Sequence, residues 1–148
     1  MNKHLPSAWI AIACTKICVS LAAMTPLLGG RYQTLFNTKL TGLALSAVVV
    51  LTIAGIYALL NRVVTRRAVF WLGWGHAAAY LVMTLGVANV EYRRSLSLVS
   101  GERLPVSDML IPHVILVIAT YGSTLLFFAV VLAAYRDTRR RIELQAFD

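Results

Sequence analysis

Lys16 is the residue of this sequence that packing explains least well. It interrupts an apolar run from about residue 8 to residue 28. About eight residues into a membrane helix, its side chain would start ~12 Å from the membrane edge, where a cation is costly. A neutral amine or a side chain extended toward the headgroups would reduce that cost. The alternative is an anion from outside the chain: a partner's carboxylate, a lipid phosphate or a ligand.

His76 is predicted to lie at nearly the same depth as Lys16, and Tyr80 one helical turn deeper. His76 is about eight residues into the third apolar run, and Tyr80 follows one helical turn later. The spacing therefore predicts a polar layer inside the membrane, although small and hydroxyl residues also serve simple helix packing. The candidate layer consists of Lys16, Ser20, Thr52, His76, Tyr80 and Thr124. All six acidic residues lie at or beyond predicted helix ends, so the layer contains no carboxylate.

Two histidines on neighbouring membrane helices raise the question of haem. Both axial nitrogens of one haem must lie near the same level, whereas His76 and His113 are predicted to differ by ~18 Å in depth. His4 lies in the N-terminal tail. We therefore expect no cofactor, and a haem held by His76 alone is the remaining alternative.

Other chemical motifs are missing from the sequence. It contains no HExxH, CxxC, GxSxG or phosphate-binding glycine loop, so we expect a protein that is not an enzyme. Cys14 and Cys18 lie one helical turn apart, where a disulfide would be strained, and two thiols are too few for a zinc site. We interpret them as small buried apolar residues and expect no metal.

Composition indicates what holds these residues in place. Hydrophobic residues make up 59% of the 148 positions, charged residues 14%, and mean hydropathy is +0.73, whereas soluble domains have about 25% charged residues. Four apolar runs, at about 8–28, 40–60, 68–90 and 110–134, are each near the ~20 residues that a spanning helix needs. The sequence therefore predicts an all-α polytopic membrane protein: an antiparallel four-transmembrane-helix bundle that forms a single domain over 1–148.

Basic residues predict the orientation of these spans. One side of the membrane would carry Lys3, Arg62, Arg66, Arg67, Arg136, Arg139, Arg140 and Arg141, and the other Arg31, Lys39, Arg93, Arg94 and Arg103. Eight against five favours both termini in the cytoplasm. We assign the net charge of +8 to topology and lipid headgroups, with Arg139, Arg140 and Arg141 as headgroup contacts, and not to nucleic acid. Because Lys16 breaks the first apolar run, we expect that run to be a retained helix and not a cleaved signal peptide.

The segment between the third and fourth runs is predicted to be the longest loop, from Glu91 to Asp108. Such a loop is either a binding surface or a slack connection. Ser107 or Asp108 is expected to cap the fourth helix. The candidate contact residues of this outer loop are Glu91, Arg93, Arg94, Glu102, Arg103 and Asp108.

Residue spacing also predicts which helix faces point inward. Trp9, Trp71, Trp74 and Tyr135 are expected in an aromatic belt at the cytoplasmic edge of the membrane. Inner stripes are expected at Thr52 and Gly55 of the second helix, and at His113, Thr120, Tyr121 and Thr124 of the fourth.

Four functions are compatible with this pattern. The first is an accessory or assembly subunit of a larger membrane complex, in the cytoplasmic (inner) membrane of a bacterium; compact loops and the absence of an Asn-x-Ser/Thr sequon favour that source. The second is a component of an oligomeric transporter or channel, with Lys16 and His76 lining the path. The third is a redox subunit that associates with haem or quinone. The fourth is a bacteriocin immunity protein, to which the basic four-span plan is similar in outline. The expected partners are the lipid bilayer and either a membrane protein or further copies of the chain.

Overall fold

The computed structural model describes residues 4–63, 67–103 and 105–145, except the side chains of 63 and 106–109. These residues form four α-helices and two short 3₁₀ turns, with no strand among them. The helices are α1 (His4–Met24), α2 (Gln33–Val63), α3 (Arg67–Ser100) and α4 (Val106–Gln145). Each helix contains a stretch long and apolar enough to cross a membrane. The prediction of an all-α, multi-pass membrane bundle is confirmed.

The helix ends differ from the limits of the apolar runs. α1 ends at Met24, before the predicted residue 28, because Pro26 has no N–H to continue the α-helical hydrogen bonds. A 3₁₀ turn, Thr25–Leu27, follows instead. Hydropathy marks the part of a helix that suits hydrocarbon, and it does not mark the point where the backbone hydrogen bonds stop.

The prediction of a long loop from Glu91 to Asp108 is wrong, again because hydropathy does not mark where a helix ends. α3 continues through the charged residues and ends at Ser100. The next residue, Gly101, has a φ of 74°, which suits the left-handed turn that closes a helix. The Gly101 N–H donates to the Ser97 carbonyl over 3.0 Å. α4 begins at Val106, so Ser107 and Asp108 lie within its first turn and not before it.

The contacts between helices show an antiparallel order along the chain. Trp9 near the start of α1 packs on Tyr57 near the end of α2, and Lys39 of α2 pairs with Glu91 of α3. α1 lies between α2 and α3, α4 packs mainly on α3, and α2 and α4 scarcely touch. α4 is therefore the least enclosed helix of the bundle.

The core is built from small and aromatic residues where α1 meets α2 and α3. Gly73 is required there, because a Cβ at this position would lie 2.7 Å from Leu5 Cδ2 and 3.1 Å from Tyr57 Cε1. Many large aliphatic side chains lie on the outside, and lipid can solvate them. The central apolar cluster consists of Leu5, Trp9, Ile12, Ala13, Val50, Ala54, Tyr57, Val69, Ala77, Val130 and Ala134.

Candidate functional site

An aromatic cluster lies in the core, and Trp9 is at its centre. The Trp9 ring stacks on Tyr57 with centroids 5.4 Å apart, and lies 4.6 Å from His76 and 5.4 Å from Tyr80. Phe127 of α4 approaches His76 to 5.5 Å. All four helices contribute a ring, so the cluster fixes their relative positions at one level.

His76 is buried in this cluster, with 2% of its surface exposed. Its Nδ1 is hydrogen-bonded to the Tyr57 hydroxyl over 2.9 Å, which joins α3 to α2. No acidic side chain contacts the imidazole within the described residues, so the neutral ring is the form that burial favours. Sequence reasoning missed Tyr57, whose one usable signal was a hydroxyl within an apolar run, where it needs a partner.

Lys16 lies beside the cluster, half-buried on α1. Its ammonium donates to the Tyr80 hydroxyl over 3.2 Å and lies 5.2 Å from the centroid of that ring. The ion pairs found in the described residues involve other cations. An ammonium has three N–H donors, and this one has a single neutral acceptor within the described chain. The structure thus brings Lys16 and Tyr80 together, with His76 behind the Tyr80 ring.

The other members of the predicted layer do not join this site as expected. Ser20 is half-buried on α1, one turn beyond Lys16. Thr52 and Thr124 are exposed on the outside of the bundle, and each hydroxyl donates over 2.9 Å to a carbonyl four residues earlier in its own helix. A threonine that is satisfied in this way can face lipid without another partner, so the inward placement of these two residues was wrong.

The inner stripes predicted for α2 and α4 need the same correction. Gly55, Thr120 and Tyr121 are exposed. The buried face of α4 instead carries Ser123 and Ala134. Small residues let helix backbones approach closely, but neither small size nor a hydroxyl group alone indicated the packed face of α2 or α4.

Two further expectations on α1 are corrected. Trp9 was expected in the membrane-edge belt, but it is fully buried in the core; Trp71, at 70% exposed, does face outward. Cys14 and Cys18 are exposed, free cysteines and not buried residues. α1 therefore turns Trp9 inward and its two thiols outward.

Three of the six predicted outer-loop residues lie on helix α3. Glu91 forms an ion pair with Lys39 of α2. Arg93 donates to the Asn89 side-chain oxygen over 3.3 Å within α3. The Arg94 guanidinium donates to His113 Nε2 of α4 over 3.1 Å. The remaining candidates, Glu102 and Arg103, are exposed in the short connection, and the side chain of Asp108 lies outside the described residues. The contacts of Glu91 and Arg94 tie α3 to α2 and α4 near one end of the bundle.

The basic end of α4 is partly neutralised within its own helix. Arg139 pairs with Glu143 over 2.8 Å and Arg141 with Asp137 over 2.9 Å, each across one turn. Arg140 is exposed. Headgroup contact by these arginines stays a prediction.

The two histidines considered for haem lie at different levels. His113 contacts Arg94, which is eighteen residues beyond His76 on α3 and hence ~27 Å away along the helix. In the described part of the chain, no group of three or more His, Cys, Asp or Glu residues could hold a metal ion. No protein-family model, curated protein sequence or solved structure matches the chain.

Proposed function

We propose that this protein is a non-enzymatic accessory or assembly subunit of a larger complex in a bacterial cytoplasmic membrane, with both termini in the cytoplasm. One observation carries the proposal: the half-buried ammonium of Lys16 bonds the neutral Tyr80 hydroxyl and pairs with no acid among the described residues. The excess of basic residues on the side of the termini supports the orientation.

The energetics of the membrane interior favour an acidic partner for Lys16. A charged lysine at the centre of a membrane helix costs roughly 2.5–3.5 kcal/mol on insertion scales. One phenol and its π-face compensate only part of this, since a cation–π contact contributes about 0.5–2 kcal/mol. An Asp or Glu in a partner's membrane helix would carry a similar cost by itself, so pairing lowers the free energy of both chains.

The position of Lys16 suits contact from the side of the bundle. Lys16 is on α1 and Tyr80 on α3, and both are half-buried, so neither is sealed in the core. Ser20 lies one turn further along α1 and is also half-buried. A partner helix lying along α1 and α3 would meet the ammonium and this hydroxyl, which can both donate to one carboxylate.

Purification in mild detergent tests this function. We expect the wild-type chain to carry a stoichiometric membrane protein that has an Asp or Glu within a membrane helix. Lys16→Leu should lose at least nine-tenths of that protein, because the cation that pairs with the acid is gone. The matched control is Lys39→Leu, which removes the same charge at a site where the chain supplies its own acid, Glu91, and which should keep the partner.

A second variant separates assembly from folding. Lys16→Arg keeps a cation of similar length and should retain most of the partner, whereas Lys16→Leu should not, at equal helicity by circular dichroism. Retention of the partner by Lys16→Leu at the wild-type level would overturn the proposal.

A further inference from the structure

α4 carries a continuous outer stripe of large side chains that no other helix of the described chain covers. Its members follow alternating steps of three and four residues and are each 50–69% exposed; we call these residues the α4 seam. They are Ile111, Val114, Ile118, Tyr121, Leu125, Phe128, Leu132 and Tyr135. This spacing of 3.5 residues is the one by which two helices pack in a left-handed coiled coil. Lipid alone could also cover such a stripe, so other features must identify what covers it.

Tyr121 is the first such feature. It is 69% exposed, and its hydroxyl has no hydrogen bond within the described residues. It is eleven residues after Leu110 and fourteen before Tyr135, so it lies near the middle of the ~30 Å hydrocarbon layer. Lipid tails offer no hydrogen bond there. The adjacent Thr120, by contrast, donates to a carbonyl of its own helix over 2.8 Å.

The second feature is that the stripe continues past the point where lipid can cover it. α4 extends to Gln145, ten residues beyond Tyr135 and hence ~15 Å further. At the same spacing, this extension presents Arg139 and then Ile142, which is 62% exposed. The 3.5-residue spacing therefore continues past the apolar run, as expected of a stripe that packs against another helix along its whole length.

We propose that the α4 seam binds a second copy of this chain through a parallel, two-fold α4–α4 contact. Copies inserted with the same topology have parallel α4 helices, and a two-fold axis places each seam residue against its own counterpart. Two Tyr121 hydroxyls then meet, and each is both donor and acceptor. Gly122 flanks the seam, where an added Cβ would meet nothing within 4 Å, so the second helix can approach closely.

Charges at the end of the seam are compatible with this contact. Arg139 and Glu143 form an ion pair within one helix. A two-fold axis brings the two Arg139 side chains near one another, and the Glu143 that each Arg139 holds in its own helix offsets their repulsion. The seam lies on α4, whereas Lys16 and Tyr80 lie on α1 and α3, so the α4–α4 contact does not rest on the proposed function.

Disulfide cross-linking in membranes tests the α4–α4 contact. In a Cys14→Ala, Cys18→Ala background, we would compare Leu125→Cys, in the seam, with Ile115→Cys, which is also exposed on α4 but outside the seam. We expect Leu125→Cys to give a disulfide-linked dimer on mild oxidation, at a yield at least fivefold above that of Ile115→Cys. No dimer from Leu125→Cys, or equal yields at the two positions, would show that lipid or another protein covers the seam and would overturn the proposal.

A hydroxyl deletion tests the role of Tyr121 in the dimer. Tyr121→Phe keeps the ring, and we expect it to raise the dimer dissociation constant in lipid vesicles, measured by energy transfer between labelled chains, by about three- to tenfold, the effect of one interhelical hydrogen bond. Tyr135→Phe is the matched control, since water near the membrane edge can bond its hydroxyl, and the constant should stay within about twofold. An unchanged constant for Tyr121→Phe, or a wild-type chain that is monomeric in vesicles, would contradict the seam contact.

Discussion

Lys39 and Lys16 lie at different depths in the bundle and have different kinds of partner. Lys39, near the start of α2, forms an ion pair with Glu91, toward the end of α3. Lys16 on α1 donates to the hydroxyl of Tyr80 on α3 instead. Both contacts join two helices, but only the Lys39–Glu91 contact pairs opposite charges.

The difference shows where the described chain supplies an acid for its own lysine and where it does not. Near helix ends, water and headgroups reduce the cost of a carboxylate, so Glu91 can be placed there at little cost. In the middle of the membrane an acid is as costly as a lysine, and the described chain places none beside Lys16. Replacing Lys16 with an apolar residue should therefore raise the free energy of unfolding. Breaking the Lys39–Glu91 pair should lower it.

The largest expected effect is on the aromatic support of the Lys16 site. Trp9 is fully buried against Tyr57, His76 and Tyr80. Trp9→Ala would leave a cavity and should lower the free energy of unfolding by about 3–5 kcal/mol, measured by denaturant titration in mixed micelles. Trp71→Ala, at a site 70% exposed, should change it by less than about 0.5 kcal/mol. Equal losses for both variants would show that the cluster is not the core of the bundle.

Lys16→Leu should have the next largest effect, and of the opposite sign. In the isolated chain it removes a cation that has no acid, so the free energy of unfolding should rise by about 2 kcal/mol, less than the full insertion cost because the bond to Tyr80 is also lost. The same titration in mixed micelles measures it. A loss of stability would mean that Lys16 is satisfied within its own chain.

Gly73→Ala should have an intermediate effect, because it crowds the contact of α1 with α3. Its Cβ would lie 2.7 Å from Leu5 Cδ2, which can move, and 3.1 Å from the Tyr57 ring, which is held by His76. We expect a loss of about 1–2 kcal/mol in the free energy of unfolding, also by denaturant titration. Gly86→Ala, where an added Cβ meets nothing within 4 Å, should be neutral or slightly stabilising. If the two variants behave alike, close approach at Gly73 is not limiting.

The smallest effect is expected for the Lys39–Glu91 ion pair. Glu91→Gln removes one charge of a pair that is only half-buried, and should lower the free energy of unfolding by about 0.5–1 kcal/mol, and less in high salt. Titrations at two salt concentrations measure both the loss and its screening. A loss well above that range would place the Lys39 pair in a drier environment than the comparison assumes.

The sequence predicted the spans well because long apolar runs have one physical solution in a bilayer. It did not predict their ends: α3 reaches Ser100 because the charged residues after Glu91 sustain helical backbone as well as apolar ones do. A fixed rise per residue places Lys16 near the level of His76 and Tyr80 one turn deeper. In the structure, Lys16 bonds Tyr80.

The candidate site was only partly predictable, because a hydroxyl does not indicate a helix face. Thr52 and Thr124 bond their own helices, so their polarity gave no information on orientation. Trp9 was taken for a membrane-edge residue from its position near a helix start. Its burial depends on Tyr57 and His76, which are far from it in the chain.

The most direct test of the central claim is a charge exchange between the two chains of the proposed complex. Lys16→Glu should abolish co-purification of the partner, and replacing the partner's membrane-embedded acid with lysine should restore it, because the pair is then reversed and not lost. Each single change should fail alone. Co-purification that survives Lys16→Glu, or a double exchange that restores nothing, would contradict the claim that a carboxylate from another chain pairs with Lys16.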